Sequence, residues 1–169
     1  MKIKVHYLGI MLLLITITSA LFISGCAQNN KNTEAFLTYV YSFDQQSNVD
    51  FFEKFNSTDG VEEISKLLDE KYEYMDNICT QNCIDRLRNN RDPISLWKSL
   101  NDKGLDMKIN DINIKKINDF SCDFSANIDI LRDNETVYSS VQKGQLTLDE
   151  NNKIDNVYFQ NLKKLFEIE

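Results

Sequence analysis

The chain has 169 residues, 42% hydrophobic and 27% charged, with a net charge of −7. That length and composition fit one folded domain and exclude wholesale disorder, and the negative charge argues against nucleic acid as a partner. The single histidine is His6. A chain that loses its N-terminus therefore holds no Ser-His-Asp triad, no Cys-His dyad and no histidine-ligated metal.

Lys2 and Lys4 form a short positive region, an almost unbroken apolar run follows over 8–23, and the segment ends Ile23-Ser24-Gly25-Cys26. An aliphatic residue three before a cysteine, with two small residues between, resembles the lipobox of bacterial lipoproteins. The resemblance implies a signal peptide over 1–25 and a thioether-linked diacylglycerol on Cys26, which becomes the new N-terminus. Small residues at 24 and 25 give a peptidase access to the backbone, and the thiol is the group that takes the lipid. An uncleaved membrane helix is the other reading, because the run is nearly long enough to span. Two acyl chains, at about 0.8 kcal/mol per buried CH₂, hold a protein stably on a membrane. Losing Lys2 and Lys4 with the leader lowers the net charge by two units, to −9.

Residues 26–33 read as a small, polar tether, and 34–169 as a single domain. A helix is expected from about 34 to 46, with Phe36, Tyr39, Val40 and Phe43 on one face. Val49, Phe51, Phe52 and Phe55 continue it or start a second. Asp59, with Glu62 three later, has the form of an N-cap, and Val61, Ile64, Leu68, Tyr72 and Met75 follow at helical spacing. Another helix opens at Thr80, with Cys83, Ile84 and Leu87 inward. Asp92-Pro93 reads as a cap followed by proline at the first helical position, and the helix carrying Ile94, Leu96, Trp97 and Leu100 should stop at Gly104.

The hydrophobic period then changes to two. Met107 and Ile109 alternate, and the phase slips to Ile112 and Ile114, which predicts a bulge near Asn110-Asp111. Phe120, Cys122, Phe124, Ala126, Ile128 and Ile130 should share one face of the next strand. Turns at Asn118-Asp119, at 132–135 and at 149–153 separate it from strands over 137–148, with a bend at Gly144, and over 154–159. Helices followed by closely spaced strands indicate an α+β fold: N-terminal helices packed on a four-stranded antiparallel sheet.

That order, a bulged meander ending in Lys153-Ile154-Asp155-Asn156-Val157, resembles the nuclear transport factor 2-like and cystatin-like folds, in which a cone of curved sheet surrounds a long helix. Small lipoproteins of low-GC Gram-positive bacteria look like this. The resemblance implies roles in assembly, exclusion or immunity at the cell surface, but carries no specific site residue.

The residues themselves offer little chemistry. Asp123 and Asp129 share a strand face but lie six residues apart, about 20 Å, so that strand alone cannot make them a dyad. The Asp149-Glu150-Asn151-Asn152 stretch lacks the spacing of a calcium loop, because Lys153 and Ile154 stand where an oxygen ligand and a glycine are needed. No catalytic, cofactor or metal residue is assigned. Of the cysteines beyond Cys26, Cys122 alternates inward as a core thiol. Cys79 and Cys83 are open to either reading: helical i, i+4 thiols are too far apart to bridge, but a Cys79 lying before the cap allows a disulfide. Tyr41, Phe51 or Phe52, and Tyr74 exceed a single inward stripe, so Tyr41 and Tyr74 are candidate interaction residues. The expected function is a membrane-anchored, extracytoplasmic, non-enzymatic lipoprotein, held through Cys26 and contacting another envelope protein. The alternative is a small-ligand binder using the cone pocket.

Overall fold

The computed structural model describes residues 31–168. Helix α1 covers 31–41 of these. It is followed by α2 (Gln45–Ser57), α3 (Val61–Tyr72), a 3₁₀ turn (Glu73–Asn77), α4 (Gln81–Asn90) and α5 (Ile94–Asp102). Four strands then run in sequence, β1 (Asp106–Asn118), β2 (Ser121–Arg132), β3 (Glu135–Leu148) and β4 (Ile154–Phe159), before a last 3₁₀ turn (Leu162–Glu167). The sheet is antiparallel throughout in the order β1-β2-β3-β4 and stays open, with its two end strands unjoined. This is the α+β architecture expected.

The start of the domain is earlier than expected. Lys31, Asn32 and Thr33 are helical, and Asn32 and Thr33 are buried. The Asn32 side-chain amide donates to the carbonyl of Asn152 at 2.9 Å, tying α1 to the β3–β4 turn. Polar composition suggested a tether through 33, but a polar residue with a partner can sit in a packed helix. Cys26 lies outside the described residues.

The predicted 34–46 helix breaks after 41. Phe43 pairs with Met107 instead, exchanging two backbone hydrogen bonds of 2.8 and 2.7 Å. Asp44 then caps α2 by accepting from the Ser47 amide, and those contacts hold its carboxyl below the usual range. Two further caps differ from expectation. Gly60, not Asp59, precedes α3, without a side-chain cap, and Val61 is 86% exposed. Pro93 occupies the cap position of α5, without an Asp92 side-chain bond. Thr80 caps α4 as predicted, its hydroxyl accepting from the Cys83 amide at 3.2 Å. Gly104 follows α5 with a φ of +65°, a conformation only glycine adopts without cost.

The sheet bends at register shifts, the first between Ile109 and Asp111, where the hydrophobic phase slips. Asp133 and Asn134 carry positive φ values of 53° and 66°, the geometry of a tight two-residue hairpin. Cys122, Phe124, Ala126, Ile128 and Ile130 are buried and alternate with exposed or half-buried residues. Phe120 does not join them: it lies in the β1–β2 turn, 57% exposed, because β2 begins only at Ser121.

Helix α1 lies between the sheet and the other helices. Phe36 and Tyr41 meet Phe159, and Tyr41 also meets Phe124. On its other side Tyr39 meets Trp97, whose indole N–H donates to the Val40 carbonyl at 3.1 Å.

Phe124→Ala should cost about 3–5 kcal/mol as a core truncation, and Ser125→Ala, on the opposite face, should change little. Chemical denaturation of the two variants checks the facing. At Gly144 a Cβ would fall 2.6 Å from the Phe124 ring and also clash with the Tyr158 carbonyl. Gly144→Ala should therefore destabilise by about 1–3 kcal/mol through overpacking, read as a lower midpoint in the same measurement.

Candidate functional site

A groove of about 470 Å³ opens in the helical layer, away from the sheet. Helix α1 supplies Tyr39, the α1–α2 connection Phe43, α2 Asn48, α3 Lys71, the following 3₁₀ turn Tyr74, and α5 Trp97. The groove lies where α1 ends at 41 and Phe43, before α2 begins, is paired with Met107. The α1–α2 corner is thereby held open to α3 and α5. Tyr39 and Tyr74 stack with centroids 5.5 Å apart, and Trp97 stands edge-on to Tyr39 at 5.0 Å. Tyr74 is 58% exposed, so the aromatic wall reaches solvent.

Lys71 is the one charged residue among those lining the groove. Its ammonium lies 5.0 Å from the Phe51 ring centroid and 5.4 Å from that of Trp97. It donates to Asn48 Oδ1, while the Asn48 amide donates to the Asp44 carbonyl at 2.7 Å. Asn48 is thus fixed at both ends, and the Tyr39 hydroxyl donates to the Lys71 carbonyl. Lys71 is half-buried, and that desolvation lowers its pKa from the ordinary lysine value. Among the described residues no carboxylate lies within ion-pairing distance of it.

Of the residues singled out from sequence, Tyr74 belongs to this groove and Tyr41 does not. Tyr41 is fully buried against Phe124 and Phe159, so it cannot anchor a partner. The apparent excess of aromatics is absorbed by two opposite faces of α1, one against the sheet and one against the helices. Lys71 was missed, although a signal was present. Ile64, Leu68, Lys71 and Met75 follow one helical stripe, which places a cation at an apolar position.

The carboxylates make no second site. On the outer sheet face Asp123 is exposed and Asp129 half-buried; Gln145 donates to the first and Ser139 and Asn110 to the second. The Ser139 and Asn110 bonds hold Asp129 below the usual carboxylate range. Asp149 accepts from the Asn151 and Lys153 amides, closing a hairpin turn. Among the described residues no group of three or more His, Cys, Asp or Glu side chains could hold a metal.

Cys79 lies just before the Thr80 cap and Cys83 in the first turn of α4; both are buried free thiols, as is Cys122. The hydrogen bond between the pair raises Cys79, with burial adding to it, and lowers Cys83. A thiol reagent should react slowly with all three cysteines in the native protein and rapidly with all three after unfolding. A Cys79–Cys83 disulfide would leave only one reactive thiol.

Comparison with protein-family models, with curated proteins and with solved structures finds no match to this chain. Its site is defined by its own residues: an aromatic groove with a buttressed lysine set into it.

Proposed function

We propose that the protein is a membrane-anchored, extracytoplasmic lipoprotein that acts by binding rather than by catalysis, and that it binds through the Tyr39–Tyr74–Trp97 groove. The groove is the observation that carries this reading. It combines exposed aromatic surface with a recess, and such features mark contact sites on small domains. The lipobox at 23–26 supports the location, and α1 laid along a bent, bulged sheet supports the nuclear transport factor 2-like or cystatin-like reading of the fold.

Anchoring at Cys26 would keep the groove near the bilayer. Lys31, the first described residue of α1, is five positions after Cys26, a reach of at most about 18 Å. Tyr39 lies eight residues further, about 12 Å along the helix. The groove then sits within about 30 Å of the anchor, where the available partners are other envelope proteins. A protein partner would insert an apolar side chain between the exposed face of Tyr74 and Trp97. A volume of about 470 Å³ is also enough for a small ligand, which keeps that second reading.

Cys26→Ala should release the protein from membranes or leave its precursor unprocessed, which cell fractionation reads directly. A mature, membrane-bound variant would refute lipid anchoring. Tyr74→Ala should weaken capture of the membrane partner several-fold, whereas neutralising Asp123 or Asp129 should not, because aromatic anchors dominate interfaces and rim charges contribute little.

A further inference from the structure

The chain carries 26 acidic and 19 basic residues, yet the lysine in the groove has no acidic partner among the described residues. Such an arrangement costs free energy unless something compensates it, because a half-buried ammonium has lost part of its hydration. Lys71 offers three N–H donors, and Asn48 accepts from one. The remaining capacity faces no protein acceptor among the described residues. The rings of Phe51 and Trp97 give the cation partial compensation, and they are thereby occupied as cation receptors. A cationic ligand entering here would meet like charge. A neutral one would deepen the burial of Lys71 without balancing it. A carboxylate would balance the charge and replace the lost hydration with charge-assisted hydrogen bonds.

We propose that the groove is a carboxylate receptor: Lys71 takes the anionic group of a ligand whose ring-sized apolar body lies against Tyr39, Tyr74 and Trp97. This rests on the groove being the binding site. Preorganisation supports it, since Asn48 is held by its bond to Asp44 and the Lys71 backbone by Tyr39, so little side-chain freedom is lost on binding. The same chemistry is presented by a free organic acid and by a polypeptide C-terminus ending in a bulky apolar residue.

Trp97 is the only tryptophan and lies in the wall of the groove, so its emission reports on that wall. The full mature protein in detergent is titrated with 3-phenylpropionate, 3-phenylpropionamide and 3-phenylpropylamine. The acid should bind saturably and at least ten-fold tighter than the amide, and the amine should not bind. Lys71→Met keeps the apolar stem and should bring acid and amide to equal affinity, while Lys71→Arg should retain the preference; thermal melts verify that both variants are folded. Equal binding of acid and amide to the unaltered protein would overturn carboxylate recognition and leave the groove as a binding site. Failure of all three probes would overturn the groove as the binding site as well. A heptapeptide ending in phenylalanine, free or amidated at its C-terminus, separates the two sources. Tighter binding of the free-acid peptide than of 3-phenylpropionate assigns the ligand to a polypeptide terminus, and the reverse order to a small acid.

Discussion

The burial of helix α1 is the constraint on which the other elements depend. Phe36, Leu37, Val40 and Tyr41 are all fully buried, which removes several hundred Å² of mostly apolar surface from water, at roughly 25 cal/mol per Å². Two separate layers cover that surface. The sheet meets α1 through Phe124 and Phe159, and α5 meets it through Trp97. Neither layer could remain in place without the helix, because the sheet would expose its inner face and α5 its apolar stripe.

The bend of the sheet follows from the same demand. A flat four-stranded sheet touches a helix along one line, whereas a curved one wraps it. The curvature comes from register shifts in each strand pair and from Gly144, where Phe124 lies against the backbone in place of a side chain. The helix is also held at its ends by polar bonds. Asn32 reaches the β3–β4 turn, and the Phe43–Met107 exchange ties the α1–α2 corner to β1. The hydroxyl of Tyr41 is buried without a hydrogen-bond partner among the described residues. Its desolvation raises the phenol pKa, with the nearby Asp92 charge adding to the effect. That hydroxyl opposes folding, and the ring's aromatic contacts offset it.

The groove is a by-product of this packing. The α1–α2 corner cannot close against α3 because Phe43 is committed to β1, and the gap is walled by the rings that α1 and α5 share. Lys71 sets one cation into this otherwise uncharged notch, and the proposed carboxylate recognition rests on it. Under the proposed function, fold stability and binding would draw on the same residues, Tyr39 and Trp97 above all, and a ligand in the groove would be felt directly by the core.

Much of the fold was legible before any coordinates. The four-strand order, the bulge beyond Ile109 and the inward set Cys122 to Ile130 follow from period-two alternation, which is local; the starts of β2 and β3 differ from it by one or two residues. The Thr80 cap and the stop at Gly104 are local as well. Other features were decided by partners distant in sequence. The helical start at residue 31 depends on Asn32 finding Asn152. The break at Ser42 depends on Phe43 pairing with Met107. Tyr41 turns inward because the sheet supplies Phe124 and Phe159, and Tyr74 stays exposed because Tyr39 already fills the space beneath it. Cys79 and Cys83 had two open readings, and in the tertiary structure both are buried free thiols. The site lay furthest from view. Its residues come from six segments, and only Tyr74, in excess of a single inward stripe, and the lysine on an apolar helical stripe left traces in two of them. A stripe records that a side chain faces the protein interior, but only packing decides whether that interior is filled or left as a groove.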